Sequence, residues 1–178
     1  MKHTSSSRRV VVTGSECTGK TVLTEGLAEY FDCPCSPEGA RLYVEQHSRP
    51  LTVDDVNPIA SLQAELEEVA IRKARGLVIH DTDLVSTLVY AHHYYSTSTA
   101  WIVRAASERA ADLYLLCDID LPWSPDGFQR DSGAAEQRRQ IHEKFVEAMT
   151  GAGLNWTLIQ GSGDKRLEQA VRKIKAFA

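Results

Sequence analysis

The sequence predicts a three-layer α/β fold built on a parallel sheet, and two observations lead to this prediction. Short apolar runs, of the length expected for strands buried on both faces, alternate with helical patterns from one end of the chain to the other. Strands separated by helices in this way form right-handed βαβ crossovers, which place helices on the faces of the sheet. No repeat and no linker rich in Pro, Gly or Ser interrupts the sequence, so we expect one domain over residues 1–178.

Four runs are the predicted strands of this sheet. The first is β-branched and covers Arg8 to Thr13, and the other three are short and apolar, over Leu77 to His80, Leu113 to Cys117 and Asn155 to Ile159. Because both faces of a central strand are buried, such continuous runs are typical of the middle of a parallel sheet. A further strand is expected just before Glu38.

Amphipathic helical patterns fill segments between and after the strands. They consist of Leu23, Leu27 and Tyr30; Ile59, Leu62, Leu66, Val69 and Lys73; Ile141, Phe145 and Ala148; and Leu167, Val171 and Ile174. Asn57 followed by Pro58 predicts the start of the second of these helices, and Gly76 predicts its end. Ser48 to Val56 and Leu121 to Ala135 are predicted to be mobile loops, and the second, about residues 121–135, to form a lid.

Composition and charge exclude several classes of protein. With 43% hydrophobic and 25% charged residues, the chain is not a collagen, a coiled coil or a disordered tail. The net charge of -4 gives no basic field for nucleic acid or an anionic membrane, and no apolar stretch approaches the roughly 20 residues that span a bilayer. The spacing of the cysteines, including Cys33 and Cys35, predicts reduced thiols in a cytoplasmic protein. The oligomeric state is left open.

A glycine-rich loop follows the first predicted strand. Residues 14–21 satisfy the pattern G-x-x-x-x-G-K-[ST], with a strand before the loop and an amphipathic helix after it. Backbone N–H groups of such a loop turn toward phosphate oxygens, Lys20 reaches the β and γ phosphates, and the Thr21 hydroxyl ligates Mg²⁺. The motif predicts a P-loop NTPase fold that binds ATP through Gly14, Ser15, Glu16, Cys17, Thr18, Gly19, Lys20 and Thr21.

The P-loop predicts that the protein binds a nucleotide, but it does not identify the reaction. The sequence lacks the N-K-x-D motif of GTPases and the L-S-G-G-Q motif of transporter ATPases, and its length excludes a helicase or an AAA+ module. Kinases of nucleotides and of other small molecules remain, because they fit within this length.

Two carboxylates, Asp81 and Asp83, follow the buried run Leu77 to His80. They lie at the sheet edge where ligands bind in open α/β folds. Acids that end a strand are common without any function, but beside a P-loop Asp81 is expected to hold Mg²⁺, directly or through water. Asp83 is expected to face the acceptor.

Glu38-Gly39-Ala40-Arg41 opens a helix after the expected second strand. In small P-loop kinases this region lines the acceptor pocket, so Glu38 is predicted to orient or deprotonate a substrate hydroxyl. Arg41 is predicted to hold a phosphate or a carboxylate. The alternative is an ordinary i,i+3 ion pair on a helix surface.

The segment after the fourth strand is predicted to carry the catalytic lid. Arg130 lies within it and would neutralise charge on the transferring phosphoryl group. Arg138 and Arg139, on the helix beyond, are either part of this machinery or a solvated helix face. Trp123 is either a hydrophobic plug or a stacking surface for a flat, cationic ring.

Together these motifs resemble the ribosylnicotinamide kinase domain of NadR-type NAD-biosynthesis proteins. The resemblance implies ATP-dependent phosphorylation of the 5′-hydroxyl of nicotinamide riboside, giving nicotinamide mononucleotide, on a nucleoside-kinase-like fold. The sequence carries neither the adenylyltransferase nor the helix-turn-helix domain of the longer proteins, and Cys17 stands where a serine is expected. The matching pieces run in the family's order and are the P-loop with Glu16, Glu38-Gly39-Ala40-Arg41-Leu42-Tyr43, Asp81-Thr82-Asp83, and Asp118-Ile119-Asp120-Leu121-Pro122-Trp123 with Asp126-Gly127 and Arg130.

We therefore expect a Mg·ATP-dependent kinase whose small-molecule substrate is nicotinamide riboside. Two alternatives stay open, a kinase for another nucleoside or nucleotide and a P-loop ATP-binding regulatory module. The predicted residues are Lys20, Glu38, Asp81, Asp83 and Arg130 for catalysis; Glu38, Arg41, Asp83, Trp123 and Asp126 for substrate binding; and Thr21 and Asp81 for the metal.

Overall fold

A computed structural model describes residues 7–122 and 135–177. The strands are β1 (Arg8–Thr13), β2 (Cys35–Ser36), β3 (Leu77–Asp81), β4 (Leu113–Cys117) and β5 (Trp156–Ile159). The helices are α1 (Lys20–Phe31), α2 (Gly39–His47), α3 (Val56–Lys73), α4 (Leu84–Tyr95), α5 (Ala100–Glu108), α6 (Ala135–Gly151) and α7 (Gly163–Phe177), with a 3₁₀ turn at Val53–Asp55. The strands form one parallel, five-stranded sheet in the order β2-β3-β1-β4-β5.

Two apolar clusters cover opposite faces of the sheet, which confirms the predicted three-layer α/β fold. Val10 and Val12 of β1 pack with residues of α1 and α7, whereas Val11 packs with residues of α3, α4, α5 and α6. This alternation follows from the two-residue period of a strand, and all five residues of β4 are buried. The core therefore fixes β1 in the middle of the sheet, with β3 and β4 on either side.

The strand predictions are close to the observed strands. β1 and β4 have the predicted bounds, β3 extends one residue further to Asp81, and β5 begins at Trp156 instead of Asn155. The expected second strand is only two residues long and pairs with β3 alone. A run this short carries little periodicity, which is why sequence alone gave it no bounds.

The predicted start of the α3 helix is wrong. Asn57 is not the N-cap, because the helix begins at Val56 and the 3₁₀ turn precedes it. A capping box between Thr52 and Asp55 satisfies the N–H groups at this point, so the chain has already turned before Pro58. At the other end the helix stops at Lys73, and Gly76 follows with a φ of 104°.

Helices α4 and α5 fill the segment between β3 and β4, where no helical pattern was predicted from periodicity. Within the described ranges, no helix is both long enough and apolar enough to cross a bilayer.

Candidate active site

The P-loop joins β1 to α1 at the carboxyl edge of the sheet, and two of its positions require glycine. Gly14 has a φ of 136°, and a Cβ there would lie 2.9 Å from the carbonyl oxygen of Cys117 on the neighbouring strand. Gly19 has a φ of 74° and is the N-cap of α1. Cys17, at a φ of 53°, also adopts the left-handed conformation. The sequence thus folds locally into the phosphate-binding loop that its motif predicts.

The side chains of this loop turn inward. Lys20 is 5% exposed, and its Nζ donates to the carbonyl oxygen of Ser15 at 2.9 Å. Thr18 Oγ1 donates to the same carbonyl at 2.8 Å. The hydroxyl of Ser15 is buried and has no hydrogen-bond partner among the described residues. A buried ammonium and a buried hydroxyl at a helix N-terminus fit phosphate oxygens as ligands.

Thr21 and Asp81 form the pair predicted to hold the metal. The Thr21 hydroxyl donates to Asp81 Oδ2 at 2.6 Å, and Asp81 Oδ1 is buried with no hydrogen-bond partner in the part of the chain described. Burial, and then the nearby charge of Glu38, raise the pKa of Asp81. A cation would remove that repulsion and use the unpaired oxygen. No group of three or more His, Cys, Asp or Glu side chains that could hold a metal ion by itself occurs in the described ranges. Mg²⁺ needs only one or two carboxylates beside phosphates and water, so the pair fits Mg²⁺.

Glu38 lies at the N-terminus of α2 and is 5% exposed. It forms the i,i+3 ion pair with Arg41 at 3.8 Å, but Glu38 is buried, so the pair does not lie on a helix surface as the alternative interpretation expected. Glu38 is close enough to raise the pKa of Asp81, and it also lines the neighbouring cavity. Arg41 has a side chain that is 36% exposed, at the outer side of Glu38. The structure therefore brings Glu38 into the site and leaves Arg41 at its margin.

Asp83 corrects the prediction that both acids of the D-x-D motif face the ligands. Its Oδ1 accepts the N–H groups of Val85 and Ser86, at 3.0 and 3.3 Å, and its Oδ2 accepts the Tyr114 hydroxyl at 2.8 Å. Burial raises its pKa to about 6. The physical reason for the divergence is Thr82, which has a φ of 63° and so ends the strand between the two acids. Asp83 caps α4 inside the core.

A cavity opens beside Glu38, with about 640 Å³ of empty space including its mouth. Glu16, from the P-loop, is 4% exposed and accepts a hydrogen bond from Tyr94 at 3.1 Å. The rings of Tyr90 and Tyr94 stack with centroids 6.1 Å apart and an interplanar angle of 7°. Tyr95 lines the same space. Two buried carboxylates with three tyrosines suit a flat ring that carries positive charge.

The segment predicted as the mobile loop Ser48 to Val56 forms an ordered wall of this cavity. Asp55, 3% exposed, accepts hydrogen bonds from both terminal nitrogens of Arg49 at 2.7 Å and from the Tyr43 hydroxyl at 2.9 Å. The N–H and hydroxyl of Thr52 donate to it as well. The Arg49 guanidinium holds the pKa of Asp55 well below its usual range. A carboxylate with this many partners makes the segment part of the framework.

Three predicted site residues, Trp123, Asp126 and Arg130, lie outside the described residues. The two arginines beyond them differ from each other. Arg138 contacts the P-loop, because one of its terminal nitrogens donates to the carbonyl of Cys17 at 3.0 Å. The other donates to the carbonyl of Leu121, after β4, at 2.7 Å. Arg139 is exposed and pairs with acids of its own helix. The helix-face interpretation is therefore correct for Arg139 only.

Arg166 is a site residue that sequence reasoning missed. It lies on α7, is 3% exposed, and donates to the carbonyl of Thr18 in the P-loop and to the Asp120 carboxylate. A single arginine in the first turn of a charged helix belongs to no motif. Only the fold could therefore reveal its contact with the P-loop. Arg166 thus connects Asp120 to the P-loop. Asp120 also accepts the N–H of Gly161 at 2.5 Å.

The chain matches a family model described as an AAA domain, over residues 9–166. It is 25% identical over 173 residues to the trifunctional NAD biosynthesis/regulator protein NadR of Escherichia coli strain K12. It is 26% identical over 173 residues to the protein of the same name from Salmonella typhimurium strain LT2. Each match covers 94% of this chain and 42% of the relative, so the chain spans less than half the length of these relatives.

Solved structures also include NadR among the similar proteins. A crystal structure of NadR protein in complex with NR superposes with a TM-score of 0.82 at 25% identity, covering 97% of this chain and 52% of that one. Thymidylate kinase from Ehrlichia chaffeensis gives a TM-score of 0.66 at 16% identity, over 97% of this chain and 99% of its own. Deoxyadenosine kinase from M. mycoides gives 0.67 at 11% identity, over 94% and 99%. These two share the fold.

The relatives confirm the resemblance to the kinase domain of NadR-type proteins. The matched family carries the AAA description at the length of this chain, so excluding that class on length was wrong. Because the family model covers most of the sequence, including the P-loop, Glu38 and Asp81, the chain belongs to the AAA-domain family.

Proposed function

We propose that the protein is an ATP-dependent kinase that phosphorylates the 5′-hydroxyl of nicotinamide riboside to give nicotinamide mononucleotide. The observation that carries the proposal is the position of Glu38, which faces Asp81 of the P-loop site on one side and lines the tyrosine-rich cavity on the other. A phosphate donor and a hydroxyl acceptor bound in these two spaces would meet at Glu38.

In this proposal the P-loop and Lys20 bind the phosphates of ATP. Lys20 exchanges its bond to the Ser15 carbonyl for phosphate oxygens, and Arg130 would neutralise the transferring group. Thr21 and Asp81 would hold Mg²⁺, which supplies charge neutralisation at the phosphates. Every one of these groups acts by electrostatics and position, which suits a loose transition state.

Glu38 acts on the acceptor side. Its carboxylate accepts a hydrogen bond from the 5′-hydroxyl and orients that oxygen toward the γ phosphate. It takes the hydroxyl proton as the new bond to phosphorus forms and the bond from the γ phosphorus to the β,γ-bridging oxygen breaks, which releases ADP. Its closeness to Asp81 favours this role once a cation neutralises Asp81. Arg41 pairs with Glu38 at 3.8 Å.

The lining of the cavity supports nicotinamide riboside as the substrate. A pyridinium ring is flat and cationic, and contact with an aromatic face contributes about 0.5 to 2 kcal/mol that a neutral base does not fully share. Glu16 adds a buried negative charge to the same space. We also propose Trp123 and Asp126 as substrate contacts.

A competition assay read by mass spectrometry tests this substrate. The purified protein receives MgATP and an equimolar mixture of nicotinamide riboside, adenosine, cytidine, uridine and thymidine. We expect nicotinamide mononucleotide as the main product. Preferential phosphorylation of one of the other nucleosides would reject this substrate and favour the second candidate, a kinase for a neutral nucleoside, which the fold shared with deoxyadenosine kinase supports.

A P-loop regulatory module is the third possibility, and a cavity lined by buried carboxylates next to the P-loop argues against it. ATP turnover that no nucleoside in the mixture stimulates would favour that module.

A further inference from the structure

Gln63 lies on α3 between the two segments that carry the acids of the site, and its side chain is 2% exposed. Its Oε1 accepts the N–H of Gly39 at 2.8 Å, and its Nε2 donates to the carbonyl of Thr82 at 3.2 Å. Gly39 directly follows Glu38, and Thr82 directly follows Asp81. One buried amide therefore connects the residue after one acid to the residue after the other.

We propose that Gln63 is a positioning residue that fixes the distance between Glu38 and Asp81, and that Glu67 and Arg109 hold its amide in the required orientation. The inference rests on the proposed function, since it assigns these two acids to the acceptor and the metal. Gln63 acts through the backbone of its neighbours and takes no part in the chemistry itself.

The orientation of the amide is set by what surrounds it. The second N–H of Nε2 donates to Glu67 Oε1 at 3.2 Å, and Arg109 donates to Glu67 Oε2 at 3.3 Å. A flipped amide would place its oxygen against the Thr82 carbonyl and the Glu67 carboxylate, which are both acceptors. Arg109 is fixed in turn by Glu68 at 2.8 Å. The chain of contacts thus reaches from the end of α5 to the N-terminus of α2.

Gly39 shows how close the two segments lie. A Cβ at this position would be 3.1 Å from both the backbone nitrogen and Oε1 of Gln63. Gly39 is not among the residues with positive φ, so the glycine is favoured by this close approach and not by its backbone conformation. The hydrogen bond and the close approach describe the same fixed contact.

Gln63 also lines the cavity, but its donors are not directed at a substrate. A primary amide has two N–H donors, and both are already used inside the protein. This assignment separates a positioning role from recognition of the substrate base, which would need a free donor.

The test compares Gln63→Met with Gln140→Met, the same change on the exposed face of α6. For Gln63→Met we expect kcat with nicotinamide riboside to fall by about 10²-fold, the cost of misplacing reacting groups by about 1 Å. Binding of a non-hydrolysable ATP analogue should stay at the wild-type value, because the P-loop is not touched. Gln140→Met should match wild type in both measurements.

Gln63→Glu provides a second measurement, the pH dependence of activity, which a purely structural role of Gln63 would not change. Beside Glu67, and with Asp83 and Arg109 close by in both variants, the new carboxyl takes up a proton, and in that form it accepts from Gly39 and donates to the Thr82 carbonyl. Loss of this proton leaves no donor for Thr82, so the ratio of Gln63→Glu activity to Gln63→Met activity should be high near pH 6 and fall as the pH rises.

Each outcome decides the inference. A folded Gln63→Met protein with wild-type kcat, an equal loss of ATP-analogue binding, or a ratio that does not change with pH would overturn it. If Gln63→Met does not fold, Gly39→Ala moves the same contact and should lower kcat with analogue binding intact. If the wild-type protein phosphorylates no nucleoside, the proposed function fails and the inference falls with it; an active wild type with an equally active Gln63→Met rejects the inference alone.

Discussion

The two halves of the candidate site are built in different ways. The phosphate half, residues 14–21, is one contiguous loop whose carbonyls are held by Arg138 and Arg166 from the last two helices. The acceptor half takes Glu38 from α2, Gln63 from α3, Glu16 from the P-loop and tyrosines from α4. The phosphate half is fixed by arginines on backbone carbonyls, and the acceptor half by a buried amide and by carboxylates. Damage to one half should therefore leave the function of the other measurable.

The largest expected effect is in the phosphate half, at Lys20. Lys20→Ala should lower kcat by about 10³- to 10⁵-fold, the range that a cation at the transferring phosphoryl group contributes. The variant should stay folded, because the Lys20 ammonium bonds only to the Ser15 carbonyl among the described residues. Steady-state rates and circular dichroism check both statements. Wild-type-like turnover would remove the P-loop from the mechanism.

The next comparison sets Asp81, which pairs with Thr21 of the phosphate half, against Glu38 of the acceptor half. Asp81→Asn should raise the Mg²⁺ concentration needed for activity, and Glu38→Gln should lower kcat by about 10²- to 10⁴-fold at saturating Mg²⁺. Titrations of Mg²⁺ and of acceptor with each variant separate these effects.

Asp83→Asn is the control for this pair. It should change neither titration and should instead reduce stability, because the amide nitrogen that replaces Oδ2 cannot accept the hydrogen bond of the Tyr114 hydroxyl. Equal defects of Asp81→Asn and Glu38→Gln in both titrations would show that the two halves are not separate.

A smaller effect is expected from the adjacent arginines of α6. Arg138→Met removes donors from the carbonyls of Cys17 and Leu121 and should weaken ATP-analogue binding by about tenfold, or about 1.4 kcal/mol. Arg139→Met, the matched control, loses only exposed ion pairs and should bind like wild type. Calorimetric titration compares them, and equal affinities for both variants would exclude the P-loop contact.

The smallest expected effect is a pH dependence of stability that comes from Glu67, the partner of Gln63 in the acceptor half. Burial, and then the charge of Asp83, raise the pKa of Glu67 from 4.5 to about 7. The folded protein therefore binds more protons than the unfolded chain in this window, and stability falls as the pH rises through it. Relative to Glu67→Gln, the wild-type Tm should drop by a few degrees between about pH 4.5 and about pH 7. Parallel Tm curves for the two proteins would contradict the raised pKa.

The contrast between the two halves also explains what the sequence could predict. The fold, the P-loop and the pairing of Thr21 with Asp81 follow from runs and motifs of neighbouring residues, whose geometry is local. Asp83 was misplaced because the D-x-D pattern does not reveal that Thr82 adopts a left-handed conformation.

Gln63 and Arg166 act through contacts across many residues, from Gln63 to Gly39 and from Arg166 to Thr18. Neither belongs to a motif, since a glutamine on a helix or an arginine near a terminus is usually a surface residue. Such roles depend on tertiary packing, which periodicity and spacing do not encode.

The brevity of β2 has a consequence for local opening of the protein. Only Cys35 and Ser36 pair with β3, at the edge of the sheet, so few hydrogen bonds protect the segment that leads to Glu38. Amide protons there should exchange with solvent deuterium well before those of β1 or β4, since edge segments open at lower free energy than the core. A ligand that bridges Glu38 and the P-loop would slow this exchange, so deuterium uptake by residues 35–39 would report occupancy of the acceptor half without any turnover.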